Sequence, residues 1–585
     1  MVEAQQSQVE SNSKAQGITF DLSKIVTFCK AKPYVVLLLA FMLFGFYLRS
    51  YHMDFPVIGY HNMKESQYIP YTEFMYNANE FLDYFRTETY LAGTREHGYF
   101  TQYEFPFIPW FILMLWWIFG VKLWAARLVI ILFSLASIPM LYFVGKKLTD
   151  NSVLALIACF FFTIMPLSIF FGRNVQPEAP AVFLILLGTY WFLCWRDDVF
   201  AGFYHYTKFF YFSLSFLIAI LLKIPNGIGL VTLLFFVPYK ELFSNKKYLY
   251  TLAALFILIM ALFPVWVTFS QWAMPDAGTV GTGGFGESFA EVRDNILRTF
   301  TLSYWDEHYF GIHSFVLDNF TLWFFWLTLI SVFFGFLKPQ TKIGLFLVGS
   351  FFSVLLYITL FADKFRGHAY YQVVFLPLVC LGSAYALFVF ASIIETITKK
   401  YTSRFHGNFI FVLLVLLLFF SLSDLTAATN RVFDVIYYGE DVAGQYIYGH
   451  SDSMDRIFID GVFAQSSGLL WHAHRYGIDE TPANLTYFQE LEETLQFRWV
   501  VLYGPGIGTI QTKPEVWEYI QQTYSIQQIG LIPQGNELAP YYFVLEKGGT
   551  FDPEAFLVNK TPYLATTYTN SAGLVEFYAL DGGTS

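Results

Sequence analysis

Residues 104–127 read EFPFIPWFILMLWWIFGVKLWAAR, and whether Phe105–Val121 crosses a membrane determines on which side every later loop lies. The segment has 17 residues, about 25 Å as a helix, which is short for a hydrocarbon core of about 30 Å. It opens FPFIP, and proline is poor material for a helix interior. Candidate spans elsewhere are 34–50, 122–145, 152–172, 178–196, 206–222, 224–239, 248–272, 320–337, 343–362, 369–396 and 407–425.

Positive charge decides the ambiguous segment. If 105–121 lies along the outer face, the cytoplasmic loops hold Lys146, Lys147, Arg196, Lys208, Lys240, Lys246, Lys247, Lys338, Lys342, Lys399, Lys400 and Arg404. The short outer loops then hold only Arg173, Lys223, Lys364 and Arg366. If the segment crosses, this bias inverts, against the tendency of Lys and Arg to stay inside. The reading is therefore eleven spans, with the N-terminus in the cytoplasm and the C-terminus outside. The run Tyr34–Leu48 follows Lys24, Lys30 and Lys32 without an A-x-A-like cleavage site, so it is expected to be a retained first span.

Composition agrees. Hydrophobic residues make up 56% of the chain and charged residues 14%, too little charge to cover a water-facing surface of this size. The four cysteines (Cys29, Cys159, Cys194, Cys380) lie in or beside apolar runs, so no disulfide framework outside the membrane is expected. There is no basic patch of the kind that binds nucleic acid.

The expected organisation is a cytoplasmic tail (1–33), a membrane domain (34–425) with long outer loops at 51–121 and 273–319, and an outer domain from 426 to 585. That last region contains DRIFID, AQSSGLLWHAHRYG, RWVVLYG, KPEVWEYIQQTY and PYYFVLEKG in order, which reads strand–helix–strand–helix–strand: a small soluble α/β domain. A sequon, Asn484-Leu485-Thr486, falls in it, although such three-residue matches are common by chance.

Polar residues gather at the outer ends of the spans. Arg173 lies in FFGRNVQPEAP, Lys223 in LLKIPNG, and Arg366 and His368 in DKFRGHAYY. Ionisable groups at membrane depth are costly and usually line a polar cavity; several cations on one cavity suit an anion such as phosphate. Taken singly, each could be a snorkelling residue at a helix end. The first outer loop supplies His61, Lys64 and Glu65 in VIGYHNMKESQYIPY, followed by apolar residues at helical spacing that suit an interfacial helix; Glu104 comes just before the doubtful segment. A carboxylate beside such a cavity can act as general base for a hydroxyl.

Several of these segments, in order, resemble the GT-C superfamily of membrane glycosyltransferases, specifically the glycosyltransferase family 39 type. That group includes protein O-mannosyltransferases and the lipid A aminoarabinose transferase. HNMKES is similar to its first-loop motif, and YEFPFIPWFILMLWWIFGVKLWAARL to its interfacial helix followed by a span bearing Arg. FFGRNVQPEAPAVF, LLKIPNG and GHAYYQVVFLPL are similar to its later elements; the resemblance covers about 34–425. It implies a polytopic helical GT-C fold with about 11 transmembrane helices. It also implies metal-independent, cofactor-free, inverting transfer of a sugar from a polyprenyl-phosphate donor to a protein, glycan or lipid acceptor. It carries over Glu65 as the preferred base and Glu104 as second, and Lys64, Arg127, Arg173, Lys223 and Arg366 for the donor phosphate. His61, Glu178, His368, Tyr370 and Tyr371 would shape the pocket. Many relatives have Asp where this chain has Glu65 or Gln67, and the Trp-Trp-Asp signature of oligosaccharyltransferases is absent.

Two other classes compete. A transporter or flippase of lipid-linked sugars would share the spans and the cationic cavity, but would not need the acid-bearing first loop or the outer domain. A membrane scaffold would leave the Arg and Lys residues at membrane depth unexplained.

Overall fold

The computed structural model describes residues 32–92, 98–100, 104–274, 289–301, 315–361, 365, 368–399, 409–460, 467–504, 510–558 and 560–582. Each of the eleven candidate spans contains an apolar helix. Among the described residues, seven are long and apolar enough to cross a membrane: Leu123–Thr149, Glu178–Phe200, Lys246–Ala273, Asn319–Leu337, Lys342–Leu360, Ala369–Lys399 and Phe409–Phe433. The chain is a polytopic helical membrane protein.

The other four are shorter: Pro33–Arg49, Ser152–Ile164, Thr207–Leu222 and Ile224–Leu234. Proline explains two of the truncations. Pro166 has no N–H to continue the ladder, so the helix from Ser152 stops at Ile164 and a separate turn, Pro166–Phe170, carries the run on. Ile224–Leu234 begins as a 3-10 turn containing Pro225 and stops short of Pro238. At about 17 Å it does not cross as one straight helix.

The doubtful segment forms Phe107–Phe119, 13 residues ending at Gly120 with φ 75°. That is about 20 Å, too short to cross alone, and it packs on Asn62–Tyr76, the helix of the first outer loop. Within the bundle, small residues let helices approach: a Cβ on Gly145 would come within 2.9 Å of Leu381 and 3.2 Å of Ala155.

Outside the bundle the described residues form a nine-stranded mixed sheet in the order β2-β1-β4-β3-β5-β7-β6-β9-β8. The strands are β1 (Glu88–Ala92), β2 (Gly98–Phe100), β3 (Arg456–Asp460), β4 (Gly477–Asp479), β5 (Phe497–Tyr503), β6 (Tyr524–Gln534), β7 (Glu537–Lys547), β8 (Tyr563–Asn570) and β9 (Gly573–Asp581). β4, β3 and β5 run parallel, with Ser467–Ala473 and Leu485–Leu495 as the connecting helices. The expected α/β pattern is present, and it recruits more than the C-terminal region. β1 and β2 come from the first outer loop, and β1 pairs in parallel with β4 at Leu91 and Gly477. Two further contacts tie the loop to the C-terminal region: the Tyr437 N–H donates to the Ile58 carbonyl at 2.7 Å, and Gly59 bridges Ile436.

Candidate active site

The first loop turns at His61, whose backbone is left-handed (φ 51°), and the helix Asn62–Tyr76 begins there. Its third and fourth residues, Lys64 and Glu65, enter different networks.

Glu65 is sealed. Arg127 grips both carboxylate oxygens, Nε to Oε1 at 3.0 Å and Nη2 to Oε2 at 2.8 Å. The Val175 N–H gives Oε1 a further bond at 3.0 Å. The side chains of Arg127 and Glu65 are 1% and 3% exposed. Nη1 of Arg127 donates to the carbonyls of His52, Met53 and Phe55, and Arg173 donates to those of Tyr51 and His52. Burial alone would raise the Glu65 carboxyl. The charge and bonds of Arg127, then the charge of Arg173 and the Val175 N–H, outweigh it and hold Glu65 below the ordinary carboxylate range. This network ties the turn after the first span to the second and third spans.

Lys64 is more open. Its ammonium donates to Glu104 Oε1 at 3.1 Å and to Gln67 Oε1 at 2.9 Å, and the Lys64 and Glu104 side chains are 18% and 20% exposed. Burial opposes its charge, but the charge and hydrogen bond of Glu104 win, and Lys64 is held above the ordinary lysine range. Lys223, extended at the break before Pro225, donates to Glu178 Oε1 at 2.8 Å. Its Nζ also stands 4.0 Å from the ring centroids of both Tyr370 and Tyr371. The two ion pairs lie within electrostatic reach of each other: Lys64 feels Glu178, and Lys223 feels Lys64 and Glu104. Glu104 and Glu178 each keep one buried oxygen, Oε2, outside their ion pairs, and the buried Tyr68 hydroxyl is the neighbour that faces Glu104.

Rings close one side of this cluster. His61 lies 5.5 Å from His368 and 5.1 Å from Tyr370, centroid to centroid, and Tyr370 stacks on His368 at 5.1 Å. Burial, reinforced by His368 and Lys223, pushes the His61 imidazole down to about 3, so the ring is neutral at ordinary pH, and both its nitrogens are buried without a partner. It can therefore give one hydrogen bond and accept another.

Of the residues read from the sequence, the structure brings Lys64, Glu104, Glu178, Lys223, His61, His368, Tyr370 and Tyr371 together. It places Glu65, Arg127 and Arg173 in the neighbouring sealed network, where the guanidiniums donate to first-loop carbonyls. Arg366 lies outside the described residues. Among those described, no three His, Cys, Asp or Glu side chains are placed to hold a metal ion.

Sequence reasoning passed over Arg49. It is fully buried and donates to Ser134 Oγ at 2.8 Å and Ser168 Oγ at 2.6 Å. The signal was present: a basic residue at the outer end of the first span, against the charge bias. Asn62 and Ser66 were also missed; they bond Glu440 (3.1 Å) and Ser467 (2.7 Å) of the C-terminal region, fastening the helix that carries Lys64 to it.

Residues 104–267 match the family described as dolichyl-phosphate-mannose-protein mannosyltransferase, a stretch that holds Glu104, Arg127, Arg173, Glu178 and Lys223. No curated protein matches the chain. Among solved structures, the chain is similar to the oligosaccharyltransferase AglB of Archaeoglobus fulgidus, solved with an inhibitory peptide and a dolichol-phosphate (TM-score 0.60, 12% identity, covering 88% of this chain and 74% of that one). It is also similar to ArnT of Cupriavidus metallidurans bound to undecaprenyl phosphate (TM-score 0.52, 13% identity, covering 94% and 98%). These likenesses show the fold: the chain has the GT-C architecture.

Proposed function

We propose that the chain is a multi-pass membrane glycosyltransferase that moves a sugar from a polyprenyl-phosphate donor to an acceptor hydroxyl, with its outer loops and C-terminal region outside the cytoplasm. The observation that carries this reading is the paired cluster Lys64–Glu104 and Lys223–Glu178, two ammonium groups beside two carboxylates, each with an oxygen outside its ion pair. The matched family and the lipid phosphates bound by the two structural neighbours support the donor class. The acceptor is a protein, glycan or lipid hydroxyl.

The residues divide the work as follows. Lys64 and Lys223 meet the donor phosphate, and their positive charge offsets the negative charge that grows on it as the sugar–phosphate bond breaks. Glu104 Oε2 takes the proton of the acceptor hydroxyl. The hydroxyl oxygen bonds to the anomeric carbon from the face opposite the departing phosphate, so the configuration inverts. Neutral His61, with His368, Tyr370 and Tyr371, lines the sugar side and hydrogen-bonds hydroxyls. Glu65, whose oxygens are both committed to Arg127, braces the loop in place of acting as base.

The test uses purified, reconstituted protein with radiolabelled polyprenyl-phosphate mannose, a panel of acceptors and chelated divalent cations. Glu104→Gln is expected to lower turnover by about 10²- to 10⁴-fold with donor binding retained. Turnover unchanged in Glu104→Gln removes this base, and absence of donor consumption and binding in the native chain removes the transferase reading.

A further inference from the structure

A cavity lies at the end of the bundle away from the Lys64–Glu104 cluster. Glu178 and Asp197 stand on one helix, Glu178–Phe200, 19 residues apart and so about 28 Å, the thickness of the hydrocarbon core. Glu178 belongs to the catalytic cluster. Asp197 is held between Lys147 at 2.9 Å and Lys342 at 3.0 Å, and Lys342 lines a cavity of about 770 Å³.

The cavity has a polar mouth and an apolar shaft. Lys338, Thr341, Lys342, Asp150 and Asn151 form the mouth, and one wall of the shaft is a stripe on the helix Leu376–Lys399 running from Tyr385 to Ile397. Those twelve steps are about 18 Å, close to the roughly 15 Å depth of one leaflet, half of the core. The stripe is apolar at Tyr385, Phe388 and Val389, toward the middle of the helix, and carries Ser392 and Thr396 nearer its end.

Charge at the mouth is positive. Its elements carry Lys146, Lys147, Lys338, Lys342 and Lys399, against Asp150 in the cavity, Asp197 between its two lysines, and Glu395 on an adjoining hollow. Lys338 is exposed and makes no ion pair among the described residues. The turn that presents it is rigid: Thr341 Oγ1 donates to the Lys338 carbonyl at 2.9 Å and accepts from the Gly344 N–H at 3.0 Å. A Cβ at Gly344 would lie 2.1 Å from that carbonyl.

We infer that this cavity holds one anionic phospholipid of the leaflet opposite the catalytic cluster. Its phosphate rests on Lys338 and Lys342, and one acyl chain lies along Tyr385–Ile397. A groove one leaflet deep with a cationic rim matches such a lipid in length and in charge, each surface lysine adding about 5-fold to the attraction. The inference does not depend on the glycosyltransferase reading.

The experiment is native mass spectrometry of the full chain released from nanodiscs containing equal phosphatidylglycerol and phosphatidylcholine. The native chain is expected to retain one phosphatidylglycerol in preference to phosphatidylcholine. Lys338→Gln, an exposed change, is expected to reduce that preference about 5-fold, and Val389→Trp, which fills the shaft, to abolish retention of both lipids. Equal retention of the two lipids by the native chain overturns the inference. So does retention undiminished in Val389→Trp, or displacement of the phospholipid by added polyprenyl phosphate.

Discussion

Lys64 and Glu65 are neighbours in sequence, yet their surroundings are opposite. Both Glu65 oxygens have partners, two guanidinium bonds and one backbone N–H, and further guanidinium bonds reach the carbonyls of residues 51–55, although Arg173 Nε and His52 Nε2 are buried there without one. Around Lys64 the ion pairs are partly exposed, two carboxylate oxygens stand outside those pairs, and a neutral imidazole has both nitrogens free. A group with every bond made resists change and holds shape. A group with a bond to spare can take up a proton or a ligand. Residue type does not separate Glu65 from Glu104, but their hydrogen bonding does.

The sharpest way to break the comparison is to remove one partner of the sealed pair. Arg127→Ala leaves the Glu65 carboxylate buried without its counter-charge, a loss of about 3–5 kcal/mol in comparable buried pairs, and also strips three first-loop carbonyls of a donor. Thermal unfolding in detergent should fall steeply. Arg127→Lys should recover only part of the loss, since an ammonium cannot reproduce the two-pronged grip. If Arg127→Ala unfolds like the native chain, the network around Glu65 is not a brace.

In the open cluster the expected effect is on kinetics. Lys223→Met alone would leave Glu178 buried and uncompensated, so the informative variant is Lys223→Met with Glu178→Gln. It removes both charges and should keep the fold near native stability. A charge-assisted hydrogen bond to the donor phosphate contributes about 1.5–3 kcal/mol, so KM for the donor should rise at least 10-fold. The same double variant with unchanged donor KM but a large loss of stability would make this pair a second brace.

Much of this was legible before any coordinates. Hydropathy located eleven apolar helices, and charge bias with Pro106 and Pro109 identified a segment that the structure makes only 13 residues long. Span-end polarity picked out Lys223 and His368, because ionisable groups at membrane depth stand out from an apolar background; Glu178, Tyr370 and Tyr371 came from the family resemblance, and Arg173, read with them, sits in the sealed network. Two things were hidden. Which carboxylate is committed depends on Arg127, 62 residues away in sequence, and no local pattern reports a partner at that distance. The recruitment of Glu88–Ala92 into the C-terminal sheet was hidden as well, since pairing with β4 is a long-range contact. Local pattern gave Glu65 and its helix but not the strand Glu88–Ala92, and in both cases long-range pairing set the role.

The finest test contrasts two buried glutamates that flank Asn62. Glu65 is held below its ordinary value, so its contribution to stability is present above about pH 4.5 and is lost as the pH falls through its folded value. Glu440 is the reverse. It is fully buried and accepts one bond from Asn62, while burial, then the charges of Asp479 and Asp441, raise it well above its ordinary value near 4.5. The folded state therefore holds a proton that the unfolded chain releases. Stability from this site is complete below about pH 4.5 and declines as pH rises toward the folded value, by up to about 1.4 kcal/mol per pH unit. Glu440→Gln keeps an oxygen for Asn62 and has nothing to titrate. Unfolding profiles from pH 5 to 9 should slope downward in the native chain and be flatter in Glu440→Gln, with the variant the more stable of the two at the alkaline end. Parallel profiles would mean that Glu440 is ionised in the folded protein at the seam between the first loop and the C-terminal region.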